Sequence, residues 1–165
     1  MKVLVVDAFS PDGPDKALVN EAIATLRGSG HEVDHRPLVG GPFEVFMSAE
    51  ERREYHGAEP LITDETIDHA QALKTADALL FCYPTTLFTV PSILKGWIER
   101  VMGPGVAFVF DAKERIRPGM TNIRRLGLVT TTPHDPQRTR RARDAGRRTI
   151  LWNLRLSCHK LCRRT

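Results

Sequence analysis

A chain of 165 residues, 41% of them apolar, can bury one substantial core but hardly two, so we expect a single domain spanning residues 1–165. No apolar run approaches the roughly 20 residues that cross a bilayer. Met1 leads directly into a strand pattern rather than into the apolar segment of a signal peptide. These observations argue against a membrane-spanning helix and favour a soluble protein of the cytoplasm without membrane insertion.

The formal net charge of +4 is unevenly distributed along the chain. Residues 1–110 carry a net charge of −7, whereas residues 111–165 carry +11 and include an arginine cluster at residues 138–148. A basic surface is compatible with nucleic-acid binding. However, the segment has no recognisable nucleic-acid motif, and Trp152 is its only aromatic residue. We therefore expect a solvated helix face, or a contact with the acidic part of a partner subunit, and no nucleic-acid partner.

The three cysteines predict neither a disulfide framework nor a metal site. Cys82 lies within a buried strand pattern, while Cys158 and Cys162 are four residues apart, which is not the spacing of a Cys-x-x-Cys redox pair. His159 adds a third candidate ligand but no fourth, so we expect reduced thiols and no metal.

Apolar patterning alternates strands with helices from the start of the chain. Residues 2–8 form an apolar strand and residues 15–27 a helix. The inner stripe of that helix is predicted to consist of Leu18, Val19, Ala22, Ile23 and Leu26. Residues 32–38 are more polar and contain Pro37, which predicts an edge strand.

Residues 39–61 interrupt the alternation. Within them, Ser48 followed by Glu51 predicts a capping box that opens a short helix over residues 48–55. Thr63 then opens a longer helix that ends near residue 75.

The stretch from residue 78 to residue 102 organises the rest of the chain. Residues 78–83 are an unbroken apolar run of strand length, which predicts a central strand buried on both faces. A helix beginning beside Pro91 follows, and its apolar stripe consists of Val90, Ile93, Leu94, Trp97, Ile98 and Val101. The connecting loop, residues 84–89, lies at the carboxyl end of a strand, where open α/β sheets bind ligands.

The last third of the chain completes the predicted sheet. Residues 105–111 form a short apolar segment. Residues 113–125 predict an excursion from the sheet or a hairpin, and residues 126–131 predict a fourth strand. One arginine-rich helix is expected over residues 136–157, and its core-facing residues are Ile150, Leu151 and Leu154. The sequence therefore predicts an α/β, flavodoxin-like, doubly wound parallel sheet of order 2-1-3-4-5, with strand 5 incomplete at the C-terminus.

Three loops at strand carboxyl ends should meet in this fold, at residues 9–14, 84–89 and 130–134. The first leads into a helix N-terminus, whose free N–H groups can hold a phosphate. The second offers backbone donors, with Leu87 and Phe88 as apolar walls for a flat ring. The third offers hydroxyls and amides. No paired carboxylates, Ser-His-Asp order or Walker loop competes with the prediction of a cofactor pocket.

Residues 83–101, YPTTLFTVPSILKGWIERV, resemble the flavin loop and following helix of the flavodoxin-like NAD(P)H dehydrogenases (quinone), the NAD(P)H quinone oxidoreductase family. The part PSILKGWIER, residues 91–100, is the most specific. Residues 47–52 and 104–108 also fall where that family has similar segments, and Thr130 with Thr131 matches its third loop. The resemblance covers nearly the whole chain.

The resemblance implies a homodimer that binds FMN or FAD, takes hydride from NADH or NADPH and passes two electrons to a quinone or similar small-molecule acceptor. Backbone N–H groups around residues 85–88 and 130–132 would hold the ring, and Ser10 and Lys16 would bind the phosphate. His134 is the nearest candidate for an assisting catalytic residue. The residues predicted to bind the cofactor are Phe9, Ser10, Lys16, Pro84, Thr85, Thr86, Leu87, Phe88, Thr130, Thr131, Thr132 and Pro133.

Departures from the family pattern lie in the same loops. The first loop lacks the usual histidine and Ser-Phe-Asn-like cluster and contains Asp12 and Asp15, whose charges repel a phosphate. The family's tryptophan-rich ring loop is TTL at residues 85–87, and the third loop has TP at residues 132–133, where glycine is common. Two alternatives therefore stay open. In the first, the chain is a flavodoxin-like subunit that regulates a partner, such as a membrane transporter, with little turnover of its own. In the second, the arginine-rich third binds nucleic acid and the pocket is vestigial.

Overall fold

The computed structural model describes residues 1–55, 57 and 62–165, so part of the predicted interruption at residues 39–61 lies outside the described residues. In chain order the first elements are β1 (Lys2–Asp7), α1 (Lys16–Gly28), β2 (Glu32–Pro37), α2 (Ala49–Glu54), α3 (Asp64–Thr75), β3 (Ala78–Pro84) and α4 (Ser92–Val101). They are followed by β4 (Phe108–Phe110), β5 (Ile116–Pro118), β6 (Arg125–Thr131), α5 (Pro136–Arg141), α6 (Ala145–Arg148), a π-helical turn (Thr149–Asn153), a 3₁₀ turn (Leu154–Ser157) and β7 (Arg163–Arg164).

A parallel sheet with the order β2-β1-β3-β6-β7 forms the centre of the described structure. With β6 and β7 as its fourth and fifth strands, this is the predicted order 2-1-3-4-5, and the predicted fold class is confirmed. The fifth strand has only two residues, Arg163 and Arg164, as the prediction of an incomplete strand requires. No helix in the described ranges is long and apolar enough to cross a membrane.

One face of the sheet buries the larger core, centred on Trp97 of α4. The Trp97 ring is fully buried, meets the Phe81 ring edge-on at a centroid distance of 6.0 Å, and donates its Nε1–H to Nδ1 of His69 at 3.1 Å. The predicted stripe of α4 is confirmed, because its members are buried or half-buried against this core: Val90, Ile93, Leu94, Trp97, Ile98 and Val101.

The opposite face is covered less completely, by α1. Val19 and Ile23 pack there against β1 and β3. The prediction that Leu18 faces inward is wrong: its side chain is 45% exposed, because it lies one position outside the Val19–Ile23 stripe. Beyond α1, the part of this face formed by Leu80 and Gly127 borders an open groove of about 420 Å³.

The segment after α4 leaves the main sheet. β4 and β5 pair antiparallel in a separate two-stranded sheet, so a hairpin forms here as predicted. Only β5 lies within the predicted range of residues 113–125, whereas β4 precedes it. Only Phe108–Phe110 of the apolar residues 105–111 form a strand.

The prediction of one continuous helix over residues 136–157 is wrong. α5 ends at Arg141, and the backbone turns left-handed at Arg143 (φ 61°) and Asp144 (φ 39°), which an α-helix does not allow. The Asp144 carboxylate then caps α6 by accepting the N–H of Arg147 at 3.0 Å. The prediction that Ile150 faces the core is nevertheless confirmed, since its side chain is fully buried.

Arg100 links α4 to α3 and to the segment before α3. Its side chain is 4% exposed, with Nε 2.9 Å from Glu51 and Nη2 2.8 Å from Glu65, and it also donates to the carbonyl oxygen of Glu44 at 2.6 Å. Glu51 has a second role as the acid of the predicted capping box with Ser48, which is confirmed. The segment that contains Glu44 and Glu51 is therefore anchored by buried charge as well as by apolar contacts.

Gly96 is the position at which α4 passes close to Val45, in the same segment. A Cβ atom on Gly96 would lie 2.6 Å from Cγ1 of Val45 and closer still to the Val45 carbonyl oxygen. We expect Gly96→Ala to lower the free energy of unfolding by about 1–3 kcal/mol through overpacking, despite alanine's higher helix propensity. Urea denaturation measures the change. Gly103→Ala is the control, because nothing lies within 4 Å of the added Cβ; equal effects of the two substitutions would contradict the explanation.

Candidate functional site at the carboxyl edge of the sheet

The carbonyl oxygen of Thr131 holds the second and third loops together. It accepts the N–H of Thr85 at 2.8 Å and the hydroxyl of Thr85 at 2.9 Å. The Thr131 hydroxyl donates to Oδ2 of Asp15, directly before α1, at 3.2 Å. The structure therefore brings together the three loops that the sequence places at the carboxyl edge.

The second loop is a tight turn over residues 86–89. Thr86 and Thr89 exchange two N–H to carbonyl hydrogen bonds of 2.9 Å. The two central residues, Leu87 (φ 49°) and Phe88 (φ 60°), both have left-handed backbone, the pattern of a type I′ turn. Neither is glycine, so each costs about 1–3 kcal/mol of backbone strain, which the surrounding contacts must offset.

Unused backbone donors lie at the tip of this turn and beside it. Within the described part of the chain, the N–H groups of Leu87, Phe88 and Thr132 make no hydrogen bond. The N–H groups of Thr85 and Thr86 are bonded to protein carbonyls. Of the donors predicted from the second loop, Leu87 and Phe88 are therefore the ones available to a ligand.

Two side chains of the edge already contact each other. The Phe88 ring stacks on the His134 ring, with centroids 4.3 Å apart and planes inclined by 21°. One face of Phe88 is thus covered, while the Leu87 side chain is 89% exposed. His134 is held from its backbone as well, because its N–H donates to the Thr132 hydroxyl at 3.3 Å.

The remaining predicted residues of the second and third loops lie at the same edge. Pro84 ends β3 and is half-buried, while Thr130 and Pro133 are exposed.

Asp7, at the end of β1, is a fully buried carboxylate with three partners. Oδ2 accepts Nζ of Lys16 at 2.6 Å and lies 3.0 Å from Nε2 of His35, and Oδ1 accepts the N–H of Phe9 at 3.0 Å. Burial raises the pKa of Asp7, but the hydrogen bonds from His35, Lys16 and Phe9 outweigh it and hold that pKa below its ordinary value of 3.8. Asp7 is therefore charged at neutral pH.

This cluster determines what the first loop offers a ligand. Lys16, predicted to bind phosphate, has its ammonium group on Asp7, although its side chain remains 23% exposed. Phe9 is buried in the core under α1 and does not face the loop edge. Ser10 is exposed. The phosphate end of the edge thus has one accessible hydroxyl and one cation shared with Asp7.

Gly146 of α6 is hydrogen-bonded to the turn at residues 86–89. Its N–H donates to the carbonyl oxygen of Phe88 at 3.2 Å, and a Cβ on Gly146 would lie 3.1 Å from the hydroxyl of Tyr83. That hydroxyl is buried without a hydrogen-bond partner in the described part of the chain. Burial, and then the charge of Asp144, raises the pKa of Tyr83, so its hydroxyl stays neutral. The close contact explains why glycine occupies position 146.

Asp7, His35 and Gly146 were missed by sequence reasoning. A signal existed for Asp7, because a charged residue that closes a buried apolar strand requires a partner. His35 comes from the neighbouring strand β2, and no local pattern indicates which of its residues faces Asp7. Gly146 likewise depends on the packing of α6 against β3.

Replacing Asp7 by Asn tests the buried cluster. Because the folded pKa of Asp7 lies below 3.8, its contribution to stability is complete above that pH and is lost as the pH falls through the lower, folded value. We expect Asp7→Asn to lower the free energy of unfolding by about 2–3 kcal/mol at pH 7. The difference from the wild type should shrink below pH 3.8.

Chemical denaturation across this pH range is the measurement. Asp12→Asn, at an exposed position of the same loop, is the control and should change stability by less than about 0.5 kcal/mol. A pH-independent difference for Asp7→Asn would show that the carboxylate charge is not what stabilises this site.

The turn strain has its own test in Leu87→Asn. Asparagine tolerates left-handed backbone, and the exposed Leu87 side chain loses little packing, so we expect the free energy of unfolding to rise by about 0.5–1 kcal/mol. Thermal unfolding measures it. Leu156→Asn, at a 74% exposed position without positive φ, should give no such gain; a gain there too would assign the effect to lost surface hydrophobicity.

Comparison with known proteins places this edge in a family context. A protein-family model described as 'Flavodoxin-like fold' matches residues 1–162 of the chain. The chain is 30% identical over 152 residues to the ribosyldihydronicotinamide dehydrogenase-like protein traD of Penicillium crustosum, covering 79% of this chain and 57% of that protein. It is 30% identical over 137 residues to the FMN-dependent NADH:quinone oxidoreductase of Shewanella amazonensis, covering 79% of this chain and 67% of that protein.

Solved structures extend the likeness to the whole fold. The NAD(P)H:quinone oxidoreductase from Methanothermobacter marburgensis superposes with a TM-score of 0.84 at 20% identity, covering 97% of this chain and 84% of that one. The chain spans about half the length of the first curated relatives that it matches. These findings confirm the resemblance predicted from residues 83–101. By its match over residues 1–162, the chain belongs to the family with the flavodoxin-like fold.

Proposed function

We propose that the chain is a flavin-dependent oxidoreductase that passes two electrons from NADH or NADPH, through bound FMN or FAD, to a quinone or similar small-molecule acceptor. The observation that carries this proposal is the group of unused N–H donors of Leu87, Phe88 and Thr132 at the edge where Thr85 and Thr131 join two loops. Such donors suit a planar ring whose oxygen and nitrogen atoms gain negative charge on reduction.

The names of the relatives support the same chemistry. The protein of Shewanella amazonensis is named as FMN-dependent and as acting on NADH and a quinone. The mammalian relatives include the ribosyldihydronicotinamide dehydrogenase [quinone] of Homo sapiens, 32% identical over 108 residues. FMN is therefore better supported than FAD.

The ring end of the edge fits a flavin. A bound flavin would supply the redox chemistry by accepting hydride and releasing two electrons, so no side chain of the chain has to act as an acid or a base. The protein's tasks are to orient the ring against the turn at residues 86–89 and to exclude water from one ring face. The strained backbone at Leu87 and Phe88 presents adjacent N–H groups without rearrangement when charge develops.

At the phosphate end of the edge, Lys16 and the amino end of α1 fit the phosphate group of a flavin. Lys16 begins this helix of 13 residues, whose first N–H groups favour an anion. Its ammonium group would contact phosphate while keeping Asp7 as a second partner. Asp7 then offsets part of the positive charge, which predicts a weaker phosphate contribution than a free lysine would give.

Homodimerisation and a cytoplasmic location are part of the proposal. A dimer is supported by the family resemblance and by large apolar side chains on the surface of the monomer, including Phe46 (82% exposed) and Leu161 (73% exposed).

The first experiment is the visible absorption spectrum of the purified protein, with any released cofactor identified by chromatography and FMN or FAD added back if none is found. We expect near-stoichiometric flavin and acceptor-dependent oxidation of NADH or NADPH. Failure to bind either flavin contradicts the proposal. Bound flavin without acceptor-dependent turnover contradicts the enzymatic part and favours the regulatory alternative.

Lys16→Met tests the phosphate contact. We expect the Kd for FMN to rise about 10-fold, measured by quenching of flavin fluorescence, whereas Lys74→Met on the exposed side of α3 should leave it unchanged. The double variant Lys16→Met/Asp7→Asn removes both charges and separates a lost phosphate contact from an unpaired Asp7. If both variants kept the full affinity for FMN, Lys16 would not belong to the phosphate site.

A further inference from the structure

An open concavity of about 490 Å³ adjoins the candidate flavin site, and Lys16 does not line it. Thr132 and His134 line it where the third loop leaves β6, and Arg140, Arg143 and Asp144 line it from the segment that follows. Because His134 stacks on Phe88, this concavity is continuous with the turn that borders the proposed ring position. Its volume is that of a pocket for a small organic ligand.

The interruption between α5 and α6 builds the basic wall of this concavity. The N–H of Arg143 donates to the carbonyl oxygen of Arg140 at 3.1 Å, closing a turn directly after α5. Arg143 and Asp144 then adopt left-handed backbone, although neither is glycine. Backbone strain of this kind is commonly found at binding sites.

The arginines of this wall have no ionic partner of their own. Within the described ranges, Arg140 and Arg143 form none of the ion pairs, while Arg138 lies 3.6 Å from Asp135. The Asp144 carboxylate is the one acid of the wall, and it accepts the N–H of Arg147. Two exposed guanidinium groups, less one carboxylate, leave the concavity positive and give it the fork-shaped donors that suit phosphate.

We propose that Arg140 and Arg143 bind the 2′-phosphate of NADPH and make NADPH the preferred reductant. The inference rests on the proposed function, because it names the nucleotide that delivers hydride to the same edge. The flavin phosphate is assigned to Lys16 and the amino end of α1, and Lys16 does not line this concavity, so the anion that reaches this wall belongs to the second nucleotide. NADH has no charged group at its 2′ position, and it would leave both guanidinium groups solvated.

A titration that needs no flavin and no turnover tests the site directly. Isothermal calorimetry would compare adenosine 2′,5′-bisphosphate with adenosine 5′-monophosphate on the wild type and on Arg140→Gln/Arg143→Gln. We expect the bisphosphate to bind the wild type about 10–100-fold more tightly than the monophosphate, and the double variant to lose that preference. Arg141→Gln, an exposed arginine of α5 that does not line the concavity, should retain it. Equal affinities of the wild type for the two nucleotides would overturn the proposal.

The flavin-loaded protein gives a second readout. The kcat/KM for NADPH should fall about 10–100-fold in Arg140→Gln/Arg143→Gln, with the value for NADH changed less than about 3-fold. Equal losses with both reductants would place the arginines against a group that the two share and would also overturn the proposal. An unchanged thermal unfolding midpoint checks that the variant folds.

The two proposals fail in distinguishable ways. Loss of flavin binding or of turnover, together with a retained preference for the bisphosphate, contradicts the proposed function and the role of NADPH as its reductant, but supports Arg140 and Arg143 as a site for a 2′-phosphate. Flavin-dependent turnover that is equally efficient with NADH and NADPH in the wild type contradicts only the assignment of Arg140 and Arg143.

Discussion

The parallel pairing of β3 with both β1 and β6 is the constraint on which the rest of the structure depends. Pro84 pairs with Thr131, so β3 and β6 end at the same level, and Asp7 pairs with Cys82, so β1 ends two residues earlier. Each loop therefore starts beside the next, and Thr85 reaches the Thr131 carbonyl oxygen directly. A shift of one residue in either pairing would reverse the faces of the strand and separate the loops. The geometry of the site is thus set by backbone hydrogen bonds within the sheet.

The fold was predictable because its signals are local and redundant. Residues 78–83 are apolar without alternation, and the stripe through Trp97 has helical spacing, so the central strand and α4 follow from their own sequences. The break after α5 was not predictable in this way, because Ala142 and Ala145 are the only apolar residues in 136–149 and give no period that would reveal it. The turn brings Gly146 against Tyr83, a contact that the local sequence does not indicate.

The candidate site was predictable in location but not in detail. The rule that ligands bind where parallel strands end selected the correct three loops. It could not show that the N–H of Thr85 is used internally, that Phe9 turns into the core, or that Lys16 lies on Asp7. Each of these depends on which atoms meet across the sheet. The resulting edge contains a buried carboxylate, Asp7, which is paired with Lys16, and two arginines, Arg140 and Arg143, which form no ion pair within the described part of the chain.

The unequal covering of the two sheet faces affects how the native state opens. Among the described residues, several elements pack on the face around Trp97, whereas α1 is the only helix that contributes to the cluster on the other face, through Val19, Ile23 and the partly buried Leu26. Because the cluster under α1 is smaller than the one around Trp97, we expect amide hydrogens of α1 to exchange with solvent through a local opening of low free energy. Because α1 also carries Lys16, any ligand held by the first loop must close this opening and slow the exchange.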